Sequence, residues 1–257
     1  MSEQLSRSVA GRVTVITGAA SGMGRATASV FAGEGASLVL LDRSTDELAA
    51  VVDRLRGDGA RVWAAAVDLT ERDDVETAVR QARTDLGPTD VLVNNAGIST
   101  IAPIDSPDLE TEWDRVMAVN LEAATMMIRL SIEDLQRNAD GRIVNIASTE
   151  GLGATRGILP YTVSKHGVIG LTRAVAMDLG RAGVTCNCIC PGPIETGMTE
   201  PIPADDRAAF ARRRVPLGRY GTPEEVAHAV LSLALPAASY INGASLCVDG
   251  GLTIQNT

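Results

Sequence analysis

A tyrosine and a lysine stand four residues apart in the stretch "YTVSK", as Tyr161 and Lys165. Residues at positions i and i+4 share one face of a helix, so a helix would bring these side chains together. A phenol, with a reference pKa of about 10, is a poor base at neutral pH unless a neighbouring cation favours its phenolate, and Lys165 can provide that cation. The spacing predicts an acid/base pair, and the alternative is a surface Tyr and Lys at ordinary helical spacing.

Other polar or small residues follow short apolar runs. Ser148 ends "RIVNIAS", Asp68 follows "RVWAAAV", and "NNAG" (94–97) follows "DVLV". Such runs, bounded by Gly, Asp or Asn, are typical of buried parallel strands, and open α/β sheets bind ligands beyond the carboxyl ends of their strands. We therefore expect these positions to face one site, although Asp68 and 94–97 could equally serve turn formation.

The stretch "TGAASGMG", Thr17 to Gly24, lies between an apolar run and a helical pattern. Glycines allow a sharp turn and let a diphosphate approach the free N–H groups of a helix N-terminus. The spacing departs from G-x-G-x-x-G, so the loop alone could also be a tight turn. Followed by the polar strand ends, it predicts a dinucleotide site.

The second apolar run ends in Asp42, which lies 18 residues beyond Gly24. An acidic residue there can accept hydrogen bonds from an adenosine ribose, and it repels a 2'-phosphate, so we expect NAD rather than NADP. Its alternative role is to cap a helix that begins near Ser44. Arg43 argues the other way, because a guanidinium can hold a 2'-phosphate bidentately.

Seven apolar runs alternate with helical patterns along the chain: RVTVIT, SLVLLD, RVWAAAVD, DVLVNNA, RIVNIAS, VTCNCIC and ASLCVDG. Stripes at i, i+3, i+4 and i+7 in 48–55 and 75–86 predict helices that pack on a sheet. We expect one α/β domain over 1–257, a Rossmann fold whose doubly wound, seven-stranded parallel sheet carries helices on both faces.

Composition narrows the class of partner. The chain has 257 residues, 45% of them hydrophobic, and a net charge of -9, which would repel nucleic acid and anionic membranes. No segment approaches the ~18 uninterrupted apolar residues of a membrane span. We expect a cytoplasmic protein with a small-molecule partner, and neither a nucleic-acid nor a membrane partner.

Three cysteines alternate in "TCNCIC", as Cys186, Cys188 and Cys190, and would project from one face of a strand. A metal site needs a further ligand nearby, and the whole chain contains only two histidines, His166 and His228. We interpret the cysteines as small buried hydrophobic residues and expect no metal.

Taken in order, the motifs resemble those of the short-chain dehydrogenase/reductase family, from about residue 11 to residue 251. They are Thr17-Gly18-x-x-x-Gly22-x-Gly24, "NNAG", Asn120, Ser148, "YTVSK" and "PGPIET". The resemblance implies hydride transfer between a secondary alcohol or ketone and a nicotinamide, with Tyr161 as general acid/base. It also implies that Lys165 lowers the Tyr161 pKa and holds the nicotinamide ribose, that Ser148 orients the substrate oxygen, and that Asn120 completes a proton relay.

The resemblance assigns further positions to ligands. For the cofactor they are Gly18, Ser21, Gly22, Met23, Gly24, Asp42, Arg43, Asp68, Leu69, Asn94, Ala96, Gly97, Tyr161, Lys165, Pro191, Gly192, Ile194 and Thr196. For the substrate they are Ser148, Glu150, Leu152, Thr155 and Tyr161. A Glu150 carboxylate near the reacting oxygen would suit a substrate with an extra hydroxyl or an amine, whereas the alternative is that it points to solvent.

The segment 195–215 contains prolines and a charged helical stretch, which suits a lid over the substrate, with a plain surface excursion as the alternative. Arg212, Arg213 and Arg214 could grip an anionic substrate or form a solvated helix face. The family likeness also implies a homotetramer. The alternative functions are an NADPH-dependent 3-oxoacyl reductase and a dinucleotide-sensing binding protein, which would need no Ser148, Tyr161 and Lys165 together.

Overall fold

The computed structural model describes residues 5–255, so residues 1–4 and 256–257 of the expected domain lie outside the described part. The strands are β1 (Val13–Thr17), β2 (Ser37–Asp42), β3 (Val62–Ala66), β4 (Val91–Asn94), β5 (Arg142–Ile146), β6 (Thr185–Pro191) and β7 (Ser245–Val248). The helices are α1 (Gly22–Gly33), α2 (Thr45–Gly57), α3 (Arg72–Leu86), α4 (Leu109–Met117), α5 (Ala123–Gln136), α6 (Leu159–Leu179), α7 (Ala204–Arg214) and α8 (Pro223–Ala234).

All seven strands form one parallel sheet in the order β3-β2-β1-β4-β5-β6-β7. The strand order reverses between β1 and β4, so the loops that follow these two strands diverge to opposite sides and leave a crevice. The register pairs Thr17 with Leu41 and Asn94 with Asn145, which sets the carboxyl ends of the central strands level. The predicted seven-stranded parallel sheet is confirmed.

Successive side chains of each strand point to opposite faces, and two apolar layers result. On β2, Leu38 and Leu40 join the layer formed with α1, α2 and α8, whereas Val39 and Leu41 join the layer formed with α3, α5 and α6. The 48–55 stripe lies in the first layer and the 75–86 stripe in the second. The doubly wound arrangement predicted from the sequence is therefore confirmed.

The cysteine row of β6 is buried in the core. Cys188 and Cys190 pack with Val168 and Ile169 of α6, while Cys186 lies in the layer that contains α3 and α5. Within residues 5–255, no helix is both long enough and apolar enough to cross a bilayer.

Candidate active site

A cleft of about 330 Å³ opens at the carboxyl ends of the central strands, where the strand order reverses. It brings together the glycine loop, the ends of β2 to β5, helix α6 and the segment after β6. Its lining residues are Gly18, Ser21, Gly22, Met23, Asp42, Arg43, Ser44, Val67, Asp68, Leu69, Asn95, Ala96, Gly97, Ile98, Val119, Ile146, Ala147, Tyr161, Lys165, Thr196, Gly197 and Met198. Most of the predicted cofactor positions are thus neighbours, although they come from distant parts of the chain.

The glycine loop needs its glycines for packing as well as for backbone shape. Gly18 has φ +65° and Gly22 has φ +50°, a left-handed region that side chains rarely adopt. A Cβ on Gly18 would lie 2.8 Å from the Ala96 Cα, and one on Gly24 would lie 2.0 Å from the Gly18 carbonyl oxygen. Gly24 therefore packs behind the loop, and α1 begins at the cleft, where the free N–H groups of its first turn are available to a ligand.

Asn95 and Thr17 hold the loop in place. The Asn95 Nδ2 donates to the carbonyl oxygens of Thr17 and Gly18, each at 3.0 Å, and the Thr17 Oγ1 accepts the N–H groups of Asn95 and Ala96 at 3.0 and 3.1 Å. Sequence reasoning assigned Asn94 rather than Asn95 to the cofactor. The Asn94 side chain turns into the core instead, where its Nδ2 donates to the Asn145 Oδ1 at 2.9 Å.

Asp42 uses both of its carboxylate oxygens on main-chain donors. One accepts the Ala20 N–H at 2.9 Å and the other accepts the Ser44 N–H at 3.0 Å. The side chain thus joins the glycine loop to the entry of α2, close to the capping role that the sequence left open, and it also lines the cleft. Arg43 is exposed beside Asp68, whose pKa is lowered first by the hydrogen bonds from Thr70 and also by the Arg43 charge.

Tyr161 and Lys165 line the other end of the cleft, and Ser148 hydrogen-bonds Tyr161 from just outside the lining. The Lys165 Nζ lies 5.5 Å from the centroid of the Tyr161 ring and donates to the Ile146 carbonyl oxygen at 2.8 Å. Burial lowers the Lys165 pKa to about 8. Burial likewise raises the pKa of Tyr161; its hydrogen bond with the Ser148 hydroxyl opposes that rise, and the Glu150 charge adds to it.

The expected lowering of the Tyr161 pKa by Lys165 is therefore not what this geometry gives. Removing the phenol from water penalises its phenolate form, and the rise this causes exceeds the favourable effect of Ser148. The Lys165 ammonium is itself fully enclosed, with only 3% of its surface exposed. At neutral pH the phenol accordingly keeps its proton.

Asn120 lies in a π-helical turn, Ala118–Glu122, that interrupts the helix between α4 and α5. Its Nδ2 donates to the Ile98 carbonyl oxygen at 2.9 Å and to the Ser164 Oγ at 3.0 Å, while its Oδ1 accepts the Ile98 N–H at 2.8 Å. The amide thereby ties the loop after β4 to the helix that carries Tyr161. Such single π turns are frequent at functional sites, and the sequence pattern did not predict this one.

Among the predicted substrate residues, Glu150 and Thr155 contact each other. The Glu150 carboxylate accepts the N–H and the hydroxyl of Thr155, both at 2.7 Å, and the Thr162 hydroxyl at 3.3 Å. Glu150 therefore neither extends into solvent nor presents a free carboxylate to the cleft. Leu152, in the same loop, is 45% exposed.

Comparison with known proteins decides the family. A family model described as enoyl-(acyl carrier protein) reductase matches residues 18–253. The chain belongs to the short-chain dehydrogenase/reductase family. The resemblance seen in the sequence is thereby confirmed.

Individual relatives match nearly end to end. The 3-oxoacyl-(acyl-carrier-protein) reductase of Thermotoga maritima is 39% identical over 95% of this chain and 98% of its own length. The meso-2,3-butanediol dehydrogenase of Serratia marcescens is 38% identical over 95% and 96%. A solved structure from Beutenbergia cavernae, provisionally assigned as an NAD(P)-dependent gluconate 5-dehydrogenase and holding NADP at low occupancy, matches with a TM-score of 0.90 and 38% identity over 97% and 99%.

These relatives make this short-chain dehydrogenase/reductase an NAD(P)-dependent oxidoreductase that acts on secondary alcohols or ketones. The cleft fits a dinucleotide, because its glycine loop brings main chain without bulky side chains to the N-terminus of α1 and Asp42, at the end of β2, lines the same cleft. A diphosphate would rest at the N-terminus of α1, and Asp42 and Arg43 lie where an adenosine ribose would be held.

Some residues of the segment after β6 line the cleft, and others are buried in the core. Thr196, Gly197 and Met198 line the cleft, and the last two were not among the predicted residues. Ile194 is buried and bridges to Gly221 instead. The other predicted residues outside the cleft lining are Gly24, Asn94, Asn120, Ser148, Glu150, Leu152, Thr155, Pro191 and Gly192.

The 195–215 segment is tied down at several points. The Thr199 hydroxyl donates to the Ile194 carbonyl oxygen at 2.7 Å, and the Arg207 Nη1 donates to the Thr199 carbonyl oxygen at 3.1 Å. Arg212, Arg213 and Arg214 occupy the last turn of α7 and are exposed. Their charges favour the negative end of the helix dipole, which agrees with a solvated helix face.

Proposed function

We propose that the chain transfers hydride between a nicotinamide cofactor and a secondary alcohol or ketone with Tyr161 as general acid/base. The observation that carries this proposal is that Tyr161 and Lys165 line one end of a cleft whose other end is the glycine loop, while Ser148 hydrogen-bonds Tyr161 from just outside the lining. A dinucleotide-sensing protein would need the loop alone. The three side chains at the far end therefore favour an enzyme.

Each side chain has one task in this proposal. The bound nicotinamide supplies or accepts the hydride. The Tyr161 phenol donates a proton to the substrate oxygen in reduction and removes it in oxidation, while the Ser148 hydroxyl donates a hydrogen bond that stabilises charge on that oxygen. Lys165 and Asn120 serve as positioning and proton-relay groups. Because the pKa of Tyr161 is raised, its protonated form dominates at neutral pH and favours ketone reduction, whereas oxidation gains as pH rises.

The Tyr161→Phe variant tests this assignment. We expect a loss of about 10³-fold or more in kcat/KM, with NADH affinity within about threefold of wild type. The measurements are hydride transfer followed by nicotinamide absorbance and a fluorescence titration with NADH. Full activity in Tyr161→Phe would exclude the phenol as the acid/base.

We further propose that NAD is the preferred cofactor, because the Asp42 carboxylate lines the cleft and repels a 2'-phosphate. The NADP in the Beutenbergia cavernae structure and the exposed Arg43 weigh against this preference. A paired titration with NADH and NADPH tests this cofactor preference. We expect NADH to bind at least ~10-fold tighter, which is a difference of about 1.4 kcal/mol in binding free energy. Asp42→Ala should narrow that ratio; tighter binding of NADPH by wild type would overturn the preference.

The second candidate function is an NADPH-dependent 3-oxoacyl reductase, which the Thermotoga maritima relative supports. Acetoacetyl-CoA with NADPH and meso-2,3-butanediol with NAD are the discriminating pair of assays. A kcat/KM at least ~10-fold higher for the thioester would make the second candidate the leading one.

We also propose a cytoplasmic homotetramer with 195–215 as a substrate lid. Support for the assembly comes from exposed apolar side chains on α6 and β7, Met177 at 83% and Leu246 at 41%. Light scattering should give four times 26.8 kDa. A monomeric mass would refute the tetramer.

Support for the lid comes from Thr196 and Met198, which line the cleft. Hydrogen exchange in 195–215 should slow when NADH and substrate bind.

A further inference from the structure

The Glu150 carboxylate bridges a loop and a helix. It lies in the short 3-10 turn that follows Ser148. Its hydrogen bonds reach Thr155, five residues along the loop, and Thr162 on α6, twelve residues from Glu150. Both carboxylate oxygens are engaged, one by the Thr155 hydroxyl and the other by the Thr155 N–H and the Thr162 hydroxyl. Thr162 is the immediate neighbour of Tyr161.

The loop on which Glu150 lies also carries Ser148. The Glu150 N–H donates to the Ser148 Oγ at 3.1 Å, so the residue acts on Ser148 through its main chain and on α6 through its side chain. Gly151 follows and lies against α6, since a Cβ there would be 2.7 Å from the Lys165 carbonyl oxygen. One residue thus links the loop of Ser148 with the first turn of the helix that holds Tyr161.

We propose that Glu150 is a positioning residue that fixes the Ser148 loop against the N-terminus of α6, so that the Ser148 and Tyr161 hydroxyls face the same substrate oxygen. The inference rests on the proposed roles of Ser148 and Tyr161. It assigns Glu150 and Thr155 to each other rather than to the substrate. The substrate therefore needs no extra hydroxyl or amine for Glu150 to recognise.

The charge of Glu150 has a second effect on the same pair. The charged side chains that act near the Tyr161 phenol include Lys165, one turn along α6, and Glu150, across the loop. The Glu150 carboxylate contributes to the raised pKa of Tyr161, so neutralising it favours the phenolate. Glu150→Gln should therefore move the pH dependence of oxidation to lower pH, an effect that a purely structural side chain would not produce.

Kinetics of Glu150→Ala and Glu150→Gln, measured with meso-2,3-butanediol and NAD and with acetoacetyl-CoA and NADPH, test the positioning role. We expect Glu150→Ala to lower kcat by roughly 10- to 100-fold with KM within about threefold, because a displacement of about 1 Å can cost that much. Thr155→Val and Thr162→Val, which keep the charge, should lower kcat less. Glu34→Gln, at an exposed carboxylate beyond α1, is the matched control and should behave as wild type. A rise in KM of ~10-fold or more at unchanged kcat, or no change in either, would overturn the proposal.

Two measurements need no substrate. Hydrogen exchange of a peptide covering 149–157 should accelerate in Glu150→Ala and not in Glu34→Gln, because the Thr155 N–H loses its acceptor. The chain has three tyrosines, so an ultraviolet titration of wild type against Tyr161→Phe isolates the Tyr161 ionisation, whose midpoint should fall in Glu150→Gln. If neither the hydrogen exchange nor the Tyr161 midpoint changes, the positioning role of Glu150 is contradicted and the proposed function is not. Full activity of Tyr161→Phe would instead contradict the proposed function on which that role rests.

Discussion

The cofactor side of the cleft, formed by β1, β2 and β4, is shaped mainly by main chain. Gly18 and Gly24 let two backbone segments approach each other, and Asn95 and Asp42 act on backbone carbonyl and N–H groups. On the substrate side, formed by β5 and α6, side chains act on one another: Glu150 on Thr155 and Thr162, and Asn120 on Ser164. The first side depends on close approach of backbone segments, and the second depends on charge and on hydrogen bonds between side chains.

This difference has an energetic consequence. The glycine loop avoids steric clashes between close backbone segments, and its cost is the conformational entropy that glycine loses on folding. The substrate side instead encloses an ammonium at Lys165 and a phenol at Tyr161. Burial lowers the pKa of Lys165 and raises the pKa of Tyr161, so it favours the neutral form of both groups. We therefore expect substitutions on the cofactor side to disrupt structure and binding together, whereas substitutions on the substrate side can separate stability from activity.

Gly24→Ala should have the largest effect on structure. Its Cβ would be placed 2.0 Å from the Gly18 carbonyl oxygen, a backbone atom that cannot yield by a change of side-chain rotamer. We expect a loss of more than about 3 kcal/mol in the free energy of unfolding and at least ~10-fold weaker NADH binding. Urea unfolding and NADH fluorescence are the measurements.

Gly33→Ala, in the same helix, is the control for Gly24→Ala. A Cβ at Gly33 has nothing within 4 Å among the described residues, so wild-type NADH affinity and equal or slightly higher stability are expected. Equal stability of the two variants would mean that close approach does not shape the cofactor side.

The contrast also explains what the sequence predicted well. Glycines and short apolar runs are local signals, so "TGAASGMG" and the seven strands could be assigned without tertiary information. Asn95 was missed although it stands in "NNAG", because its residue type does not distinguish it from its neighbour Asn94. The alternation of side chains along an extended segment was the available signal, since only one of two consecutive residues can face the core.

On the substrate side the residue types could be predicted, but their hydrogen-bond partners could not. Glu150, Thr155 and Thr162 meet because a loop folds back on α6, and no periodicity specifies that return. The π turn at Ala118–Glu122 was also invisible, because the helical pattern continues through it. The direction of the Tyr161 pKa shift depends on burial, which single-sequence reasoning about a cation at i+4 leaves out.

Lys165→Met should separate stability from activity. The folded-state pKa of Lys165 is lowered from 10.5 to about 8, so the folded state disfavours the charged form. Burying the charged ammonium therefore lowers the free energy of unfolding, and this cost is fully present below pH 8. It disappears as pH rises from 8 to 10.5, which raises the free energy of unfolding by about 3 kcal/mol. We expect wild-type stability to rise across that window relative to Lys165→Met, and we expect Lys165→Met to be the more stable protein at pH 7 but inactive.

The chain offers a direct check of that prediction, because Lys165 is its only lysine. Protein labelled with ¹⁵N-lysine gives a single side-chain signal whose titration reports the pKa without assignment. A midpoint near 8 is expected. A midpoint above 10, together with parallel stability curves for wild type and Lys165→Met, would show that the substrate side is not energetically strained by its ammonium.

Thr17→Val should have a smaller effect, and it tests how the cofactor side is held. The buried Thr17 hydroxyl accepts two main-chain N–H groups, from Asn95 and Ala96, which valine would leave without an acceptor. We expect a loss of about 2 kcal/mol in the free energy of unfolding and a few-fold weaker NADH binding. Thr14→Val is the matched control on the same strand, because the buried Thr14 hydroxyl has no hydrogen-bond partner among the described residues and its removal should be neutral or stabilising. If both variants unfold alike, the loop is held by its glycine contacts and by the Asn95 side chain, and the Thr17 hydroxyl contributes nothing to its stability.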